Sequence, residues 1–217
     1  MVEDSVPAGL IINQDQTPPL KMVPVSQWTL EKEGAAQVPI TSLDDKRQIT
    51  AVLASTLDGS LLPLQLIYKG ITNRCHPRDV KFPDGWDIWH SENHWSNTST
   101  MVRYIEKVLV PWAEQRKRDL RLPQSQKAIV VLDVFRAHST TDVLDTLKEN
   151  NFRIVFVPGN CTSELQPLDL YVNGPFRFCF KTDSTTGTQS WLQRPFTNIL
   201  MTSRQQLQPC NLAYACR

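Results

Sequence analysis

Short apolar runs that end in polar turn residues recur along the chain and predict a sheet. Five runs have the length and composition of strands: residues 10–15, 48–56, 61–68, 127–133 and 153–157. Asp58 and Gly59, between the second and third runs, form a strong hairpin signal. We therefore expect the first three strands to form an antiparallel unit.

Two stretches show the helical spacing of apolar residues, in which one face repeats every three to four positions. The first follows N-cap residues at 96–100 and ends in a basic segment near Arg121, with Pro111 placed to kink it. The second begins at 139–142 and separates the last two strands, which are therefore expected to be parallel. The predicted fold class is α/β, with a mixed five-stranded sheet flanked by helices.

Three regions fall outside this pattern. Residues 20–47 predict an irregular insertion or a short hairpin, and residues 70–95, which contain prolines and three tryptophans, predict a loop region. After Phe180 the chain becomes rich in Ser, Thr and Gln and loses its periodicity. We therefore expect a folded domain over residues 1–180 and a poorly ordered Ser/Thr/Gln-rich tail over residues 181–217.

The charge balance gives no global reason for the chain to bind nucleic acid or a membrane. It has 23 Lys and Arg against 22 Asp and Glu, a net charge of +1, so any basic surface is local. The cluster Arg116, Lys117, Arg118 and Arg121 is better interpreted as a solvated helix end than as a phosphate-binding patch. No apolar stretch is long enough to cross a bilayer, and the N-terminus does not resemble a signal peptide.

Cysteine and histidine usage does not suggest a metal site. The five cysteines are scattered and contain no CxxC, which favours reduced thiols in the cytosol or nucleus. His90 and His94 do not form an HExxH motif, and we expect no cysteine near them. Ordinary hydrogen bonding is therefore the favoured role for this pair.

Three aspartates are candidates for one catalytic site. Asp15 and Asp133 each end a predicted strand, and Asp169 follows the last strand at the start of a helix. Strand ends at one edge of a sheet face a common crevice, where three carboxylates would need cations such as Mg²⁺. Two ions about 3.5–4 Å apart can serve phosphoryl transfer. Taken singly, however, each acid is more often a cap or turn residue, and spacing alone leaves both interpretations open.

The sequence around these acids resembles three motifs of the DDE superfamily endonuclease domain, the catalytic domain of pogo, Tigger and jerky-like transposases. The three segments are 13–18, 131–138 and 165–173, and segments 45–51 and 92–95 are also similar to that family. The likeness covers roughly residues 10–180. Its most specific piece is Leu165-Gln-Pro-Leu-Asp169.

The resemblance implies an RNase H-like fold in which Asp15, Asp133 and Asp169 are the catalytic residues and the ligands of two Mg²⁺ or Mn²⁺ ions. It also implies DNA as the partner, DNA cleavage and strand transfer as the reaction, and the nucleus as the location. The chain begins close to the first catalytic strand, without the family's helix-turn-helix region, and its helix after Asp169 is expected to stop near Phe180. It therefore resembles a truncated or domesticated copy. The alternatives are a catalytically inactive DNA- or protein-interaction module and a non-functional fragment.

Overall fold

The computed structural model describes residues 5–21, 48–78, 80–159 and 161–185. The predicted insertion or hairpin falls largely on residues 22–47, which lie outside the described residues. Residues 186–217 also lie outside them, so most of the predicted tail remains a prediction.

The described residues form one mixed sheet of seven strands. The strands are Ile11–Gln16 (β1), Leu20–Lys21 (β2), Gln48–Thr56 (β3), Gln65–Lys69 (β4), Asp87–Ser91 (β5), Ala128–Leu132 (β6) and Phe152–Phe156 (β7). Their order across the sheet is β5-β4-β3-β1-β6-β7, with β2 also paired to β3. The predicted mixed α/β sheet is confirmed, but the predicted count of five strands is wrong.

The two additional strands have different origins. β2 pairs with the start of β3 through Leu20 and Ile49, so it continues the line of β1 along β3 after a short interruption that contains Pro18 and Pro19. β5 lies in the region predicted to be a loop and pairs in parallel with β4. Its three central residues are only partly buried at the sheet edge, so it lacks the apolar alternation that identifies a strand.

The pairing directions agree with the sequence prediction. β1, β3 and β4 are antiparallel, and β1, β6 and β7 are parallel. In the turn after β3, Gly59 has a φ of +85°, and the Asp58 carboxylate accepts a hydrogen bond from the Ser60 N–H at 3.0 Å. The Asp58-Gly59 signal therefore marks a real turn, and its glycine is needed for the positive φ.

The helices lie between and after the strands. They are Thr98–Tyr104 (α1), Val110–Asp119 (α2), Thr141–Glu149 (α3), Thr162–Leu165 (α4), Pro167–Tyr171 (α5) and Asn173–Thr185 (α6). Residues Ile105–Leu109 join α1 to α2 as a π-helical segment. Proline has no N–H to donate and its ring crowds the preceding turn, so the irregularity expected at Pro111 takes this form. In the described part of the chain, no helix has both the length and the apolar character needed to cross a bilayer.

Two apolar clusters cover the two faces of the sheet. One joins β1 and β6 to the first three helices, with Tyr104 and Leu147 completely buried. The other packs Leu168, Phe176 and Phe180, from α5 and α6, against β3 and β4. The second cluster holds these two helices on the sheet, and α6 continues to Thr185 instead of stopping near Phe180 as expected.

Candidate active site

The parallel pairing of β1 with β6 brings two of the candidate acids together at the C-terminal ends of these two strands. The register aligns Ile11 with Ile129 and Asn13 with Val131. Two residues further along both strands, this register leads to Asp15 and Asp133. Asp15 is buried within β1, and Asp133 directly follows β6.

Asn13 connects these strands to the helix that carries the third acid. Its side-chain N–H₂ donates to the Val131 carbonyl at 3.2 Å, and its side-chain oxygen accepts from the Leu168 N–H at 3.1 Å. Gln166, just before α5, donates to the backbone carbonyl of Gln14 at 3.2 Å. The N-terminus of α5 is therefore attached to β1 by polar contacts at the residue before Asp169.

Asn173 links two of the aspartates directly. Its Nδ2 donates to Asp15 Oδ2 at 2.7 Å and to Asp169 Oδ1 at 2.8 Å. Asn173 is buried, whereas Asp169 is exposed. One amide therefore holds a buried and an exposed carboxylate beside each other.

The environment of Asp15 opposes its ionisation. Burial, and next the negative charge of Asp169, raise the pKa of Asp15 to about 7, against hydrogen bonds from Gln16 and Asn173 that lower it. A cation between the two carboxylates would remove this repulsion. A bound ion would therefore favour the charged form of Asp15.

Asp133 is held by a different partner. Its Oδ1 lies 2.8 Å from Nδ1 of His138, a side chain with no exposed surface, and His138 Nε2 lies 3.1 Å from the side-chain nitrogen of Gln16. The short 3₁₀ segment Arg136–Ser139 places this histidine. The structure thus brings Asp15 and Asp169 into contact and keeps Asp133 beside them, on the neighbouring strand.

These acids fit a pair of hard cations better than one ion. Within the described residues, the ligand atoms of the three aspartates do not all lie within 4.8 Å of one another. A two-ion arrangement would not require that convergence, because no single ion would need all three carboxylates. Asp15 is linked to Asp169 through Asn173 and lies on the strand next to the one that leads to Asp133, and carboxylate oxygens are ligands that Mg²⁺ and Mn²⁺ accept. The assignment of these three residues as ligands nevertheless stays a prediction.

The basic cluster at the end of α2 makes contacts within the chain. Arg116 lies 3.7 Å from Asp58 and 2.7 Å from the hydroxyl of Ser60, and Lys117 is buried with its amine 3.1 Å from the Gln124 carbonyl. The predicted solvated helix end is therefore wrong for Lys117, which is buried, and these contacts do not test a phosphate-binding role.

Sequence reasoning missed the supporting role of three polar residues. Asn13 and Asn173 lie within the quoted motifs and His138 closes another, but nothing in their spacing shows which carboxylate each one holds. Their only sequence signal is that they are polar residues close to a strand end or in the turn after a candidate acid. The expectation that no cysteine lies near His90 is also wrong, because Cys75 and His76 reach it from the preceding loop.

Comparison with known proteins places the chain in a family. The model of the DDE superfamily endonuclease family matches residues 46–191. The human pogo transposable element with KRAB domain is 33% identical over 164 residues, which are 75% of this chain and 25% of that protein. Mouse Jerky protein is 34% identical over 95 residues, 40% of this chain and 16% of that protein. The chain thus spans about a quarter of the length of its pogo relative.

Solved structures confirm the fold. A pre-cleavage Mos1 transpososome matches with a TM-score of 0.53 and 14% identity, covering 92% of this chain and 53% of the Mos1 chain. A mariner Mos1 paired-end complex with Mg matches with a TM-score of 0.54 and 14% identity, covering 91% of this chain and 52% of the Mos1 chain. This likeness confirms the predicted RNase H-like fold. Because the family model matches more than half of the residues of this chain, the chain belongs to the DDE superfamily endonuclease family.

Proposed function

We propose that this chain is a DNA-binding, transposase-derived domain that cleaves and joins phosphodiester bonds with Mg²⁺ or Mn²⁺. We further propose that Asp15, Asp133 and Asp169 hold two such ions and that the protein acts in the nucleus. The observation that carries the proposal is the contact of Asp15 with Asp169 through Asn173, next to Asp133 on the adjacent strand.

The side chains around the acids determine how the site is held. Asn173 fixes Asp15 and Asp169 in one relative orientation, and His138 Nδ1 pairs with the backbone carbonyl of Asp133 at 3.3 Å and lies 2.8 Å from its carboxylate. When bound, divalent cations lower the pKa of an attacking water or hydroxyl and neutralise the charge that develops on the phosphate. The low solvent exposure of Asp15 strengthens the attraction between its carboxylate and such a cation.

The comparisons support DNA as the substrate class. Mos1 is named as a transpososome and as a paired-end complex with a transposon end, and Mos1 complexes are named with Mg and with Mn. The family name supports an endonuclease reaction. Because the chain covers only part of each relative, its own reaction has to be tested directly.

Replacing Asp133 with alanine is expected to abolish divalent-dependent nicking of supercoiled plasmid DNA. The expected loss is at least about a thousandfold, because a missing ligand removes several kcal/mol of charge stabilisation in the transition state. Nicking is measured with Mg²⁺, with Mn²⁺ and with EDTA. Asp145→Ala is the matched control, because Asp145 is an exposed acid on α3 that lies 3.6 Å from Lys148.

The proposal requires that the wild type and Asp145→Ala nick DNA equally and that EDTA stops both. Equal activity of Asp133→Ala and the wild type would reject Asp133 as a ligand. If neither the wild type nor any variant cuts DNA under any condition, the alternative function, a catalytically inactive interaction module, replaces the proposed nuclease function. Fluorescence anisotropy with labelled duplex DNA then decides whether the module binds DNA.

A further inference from the structure

A cluster of one cysteine and two histidines lies at the edge strand β5, which β4 and β3 separate from β1 and its aspartate. Cys75 ends the short 3₁₀ segment after β4, His76 follows it, and His90 lies in β5. One ligand atom from each of these residues lies within 4.8 Å of the other two. All three side chains are partly buried, so the cluster is both enclosed and reachable by solvent.

Backbone geometry brings these residues together from separate segments. β4 pairs in parallel with β5 so that Tyr68 is opposite His90, and the Gly70 N–H donates to the Ser91 carbonyl at 2.9 Å. A Cβ added to Gly70 would lie 2.6 Å from the Cβ and 2.7 Å from the Sγ of Cys75. Glycine at this position therefore lets the loop return closely enough to place Cys75 over the strand end.

Hydrogen bonding orients His90 for ligation. Its Nε2 lies 3.0 Å from the carbonyl of Ile71, and because a carbonyl can only accept, Nε2 carries the proton of the neutral ring. The bare Nδ1 then accepts a hydrogen bond from the Nε2–H of His76 at 3.1 Å, and a bound metal would take the place of that proton. Histidine ligands of metals commonly donate their second ring N–H to a backbone carbonyl in this way.

The two imidazoles are close enough to serve one ion. Two nitrogens bound to a tetrahedral metal at about 2.0–2.1 Å lie a little over 3 Å apart, close to the observed separation.

We propose that Cys75, His76 and His90 bind one zinc ion, with a fourth position left for water or another ligand. Thiolate and imidazole are the ligand types that zinc selects, whereas the aspartate site offers only oxygens. Strands β4 and β3 separate β5 from β1, so this ion is distinct from those proposed for the aspartates. The ion would cross-link the loop after β4 to the edge strand β5.

Cobalt substitution in the purified full-length chain tests the proposal. One equivalent of Co²⁺ should produce thiolate-to-cobalt charge-transfer absorption, and one equivalent of Zn²⁺ should remove it. Cys75→Ser should abolish the absorption, and His90→Gln should weaken Co²⁺ binding by at least about 100-fold. His94→Gln is the matched control, because His94 is four residues from His90 and instead lies 3.4 Å from the Thr50 hydroxyl.

Further controls separate this site from the other thiols and from misfolding. A variant with serine at the four other cysteines, Cys161, Cys179, Cys210 and Cys216, should keep the absorption. Circular dichroism checks the fold of each variant. Displacement of Co²⁺ by Zn²⁺ is measured in the wild type, so that result does not depend on whether a variant folds. The proposal is overturned if the wild type shows no thiolate–cobalt absorption, if folded Cys75→Ser retains it, or if His94→Gln loses it as His90→Gln does.

Discussion

Replacing Asp15 with asparagine should make the metal-free protein more stable at pH 8 while it abolishes DNA cleavage. The pKa of Asp15 is raised to about 7 in the folded chain from an ordinary value of 3.8. The folded state therefore binds more protons than the unfolded state between these values, and the free energy of unfolding falls as pH rises from about 4 to about 7. At about 1.4 kcal/mol per pKa unit, the gain of the asparagine variant at pH 8 is about 2–4 kcal/mol.

Denaturant unfolding in EDTA at pH 5 and pH 8 measures this effect. At pH 5 the unfolded wild type has already ionised Asp15 while the folded wild type has not, so the wild type and Asp15→Asn should differ there by less than half as much as at pH 8. Asp145→Asn, at an exposed position, is the matched control and should change stability little at either pH. A loss of stability in Asp15→Asn at pH 8 would contradict the burial and repulsion inferred for this carboxylate.

Magnesium should stabilise the wild type and have little effect on the stability of Asp15→Asn. Mg²⁺ binds the folded wild type and raises its free energy of unfolding at pH 8, by an amount that grows with the logarithm of concentration above the dissociation constant. Asp15→Asn lacks the central carboxylate and should show little gain. In the same samples, nicking by the variant should fall by about three orders of magnitude or more. A variant that is more stable and yet inactive identifies a functional residue rather than a structural one.

Leu168→Ala should destabilise the domain by about 2–5 kcal/mol and also reduce cleavage. Leu168 is completely buried, packs in the cluster with Phe176 and Phe180, and immediately precedes Asp169. Loss of its side chain leaves a cavity under α5, and a displacement of about 1 Å in a catalytic group can cost about a hundredfold in rate. Denaturant unfolding and plasmid nicking measure the two effects.

Leu170→Ala is the matched control for this prediction. Leu170 lies on the same short helix, but 42% of its surface is exposed. Its truncation should change stability by no more than about 0.5 kcal/mol and leave cleavage intact. Equal effects of the two substitutions would show that α5 is not anchored through Leu168. Nicking has to be measured well below the melting temperature of Leu168→Ala, so that the folded fraction does not limit activity.

Sequence reasoning located the acids better than the residues that hold them. Asp15 and Asp133 could be predicted because each ends a strand, and parallel strands bring such ends to one edge. Asp169 depended on the resemblance, since its approach to Asp15 requires α5 to fold back onto β1. The bridge made by Asn173 depends on side-chain directions in two elements that are far apart in the chain, and spacing along the sequence does not contain that information.

The fold shows the same division between local and long-range features. The Asp58-Gly59 turn and the inward face of α1 follow from local patterns, and both are present. β5 was missed because its partly buried edge position depends on pairing with β4, not on an apolar pattern of its own. The Cys75–His76–His90 cluster was missed for the same reason, because that pairing brings His90 to the loop.

Anomalous diffraction from crystals soaked in Mn²⁺ tests most directly whether the three aspartates form one two-ion site. We predict two peaks about 3.5–4 Å apart, with Asp15 contacting both and Asp133 and Asp169 each contacting one. Manganese at the Cys75 cluster would not count, because only peaks at the aspartates bear on the claim. The absence of any peak there, or a single ion held by one aspartate with the other two turned away, would contradict it.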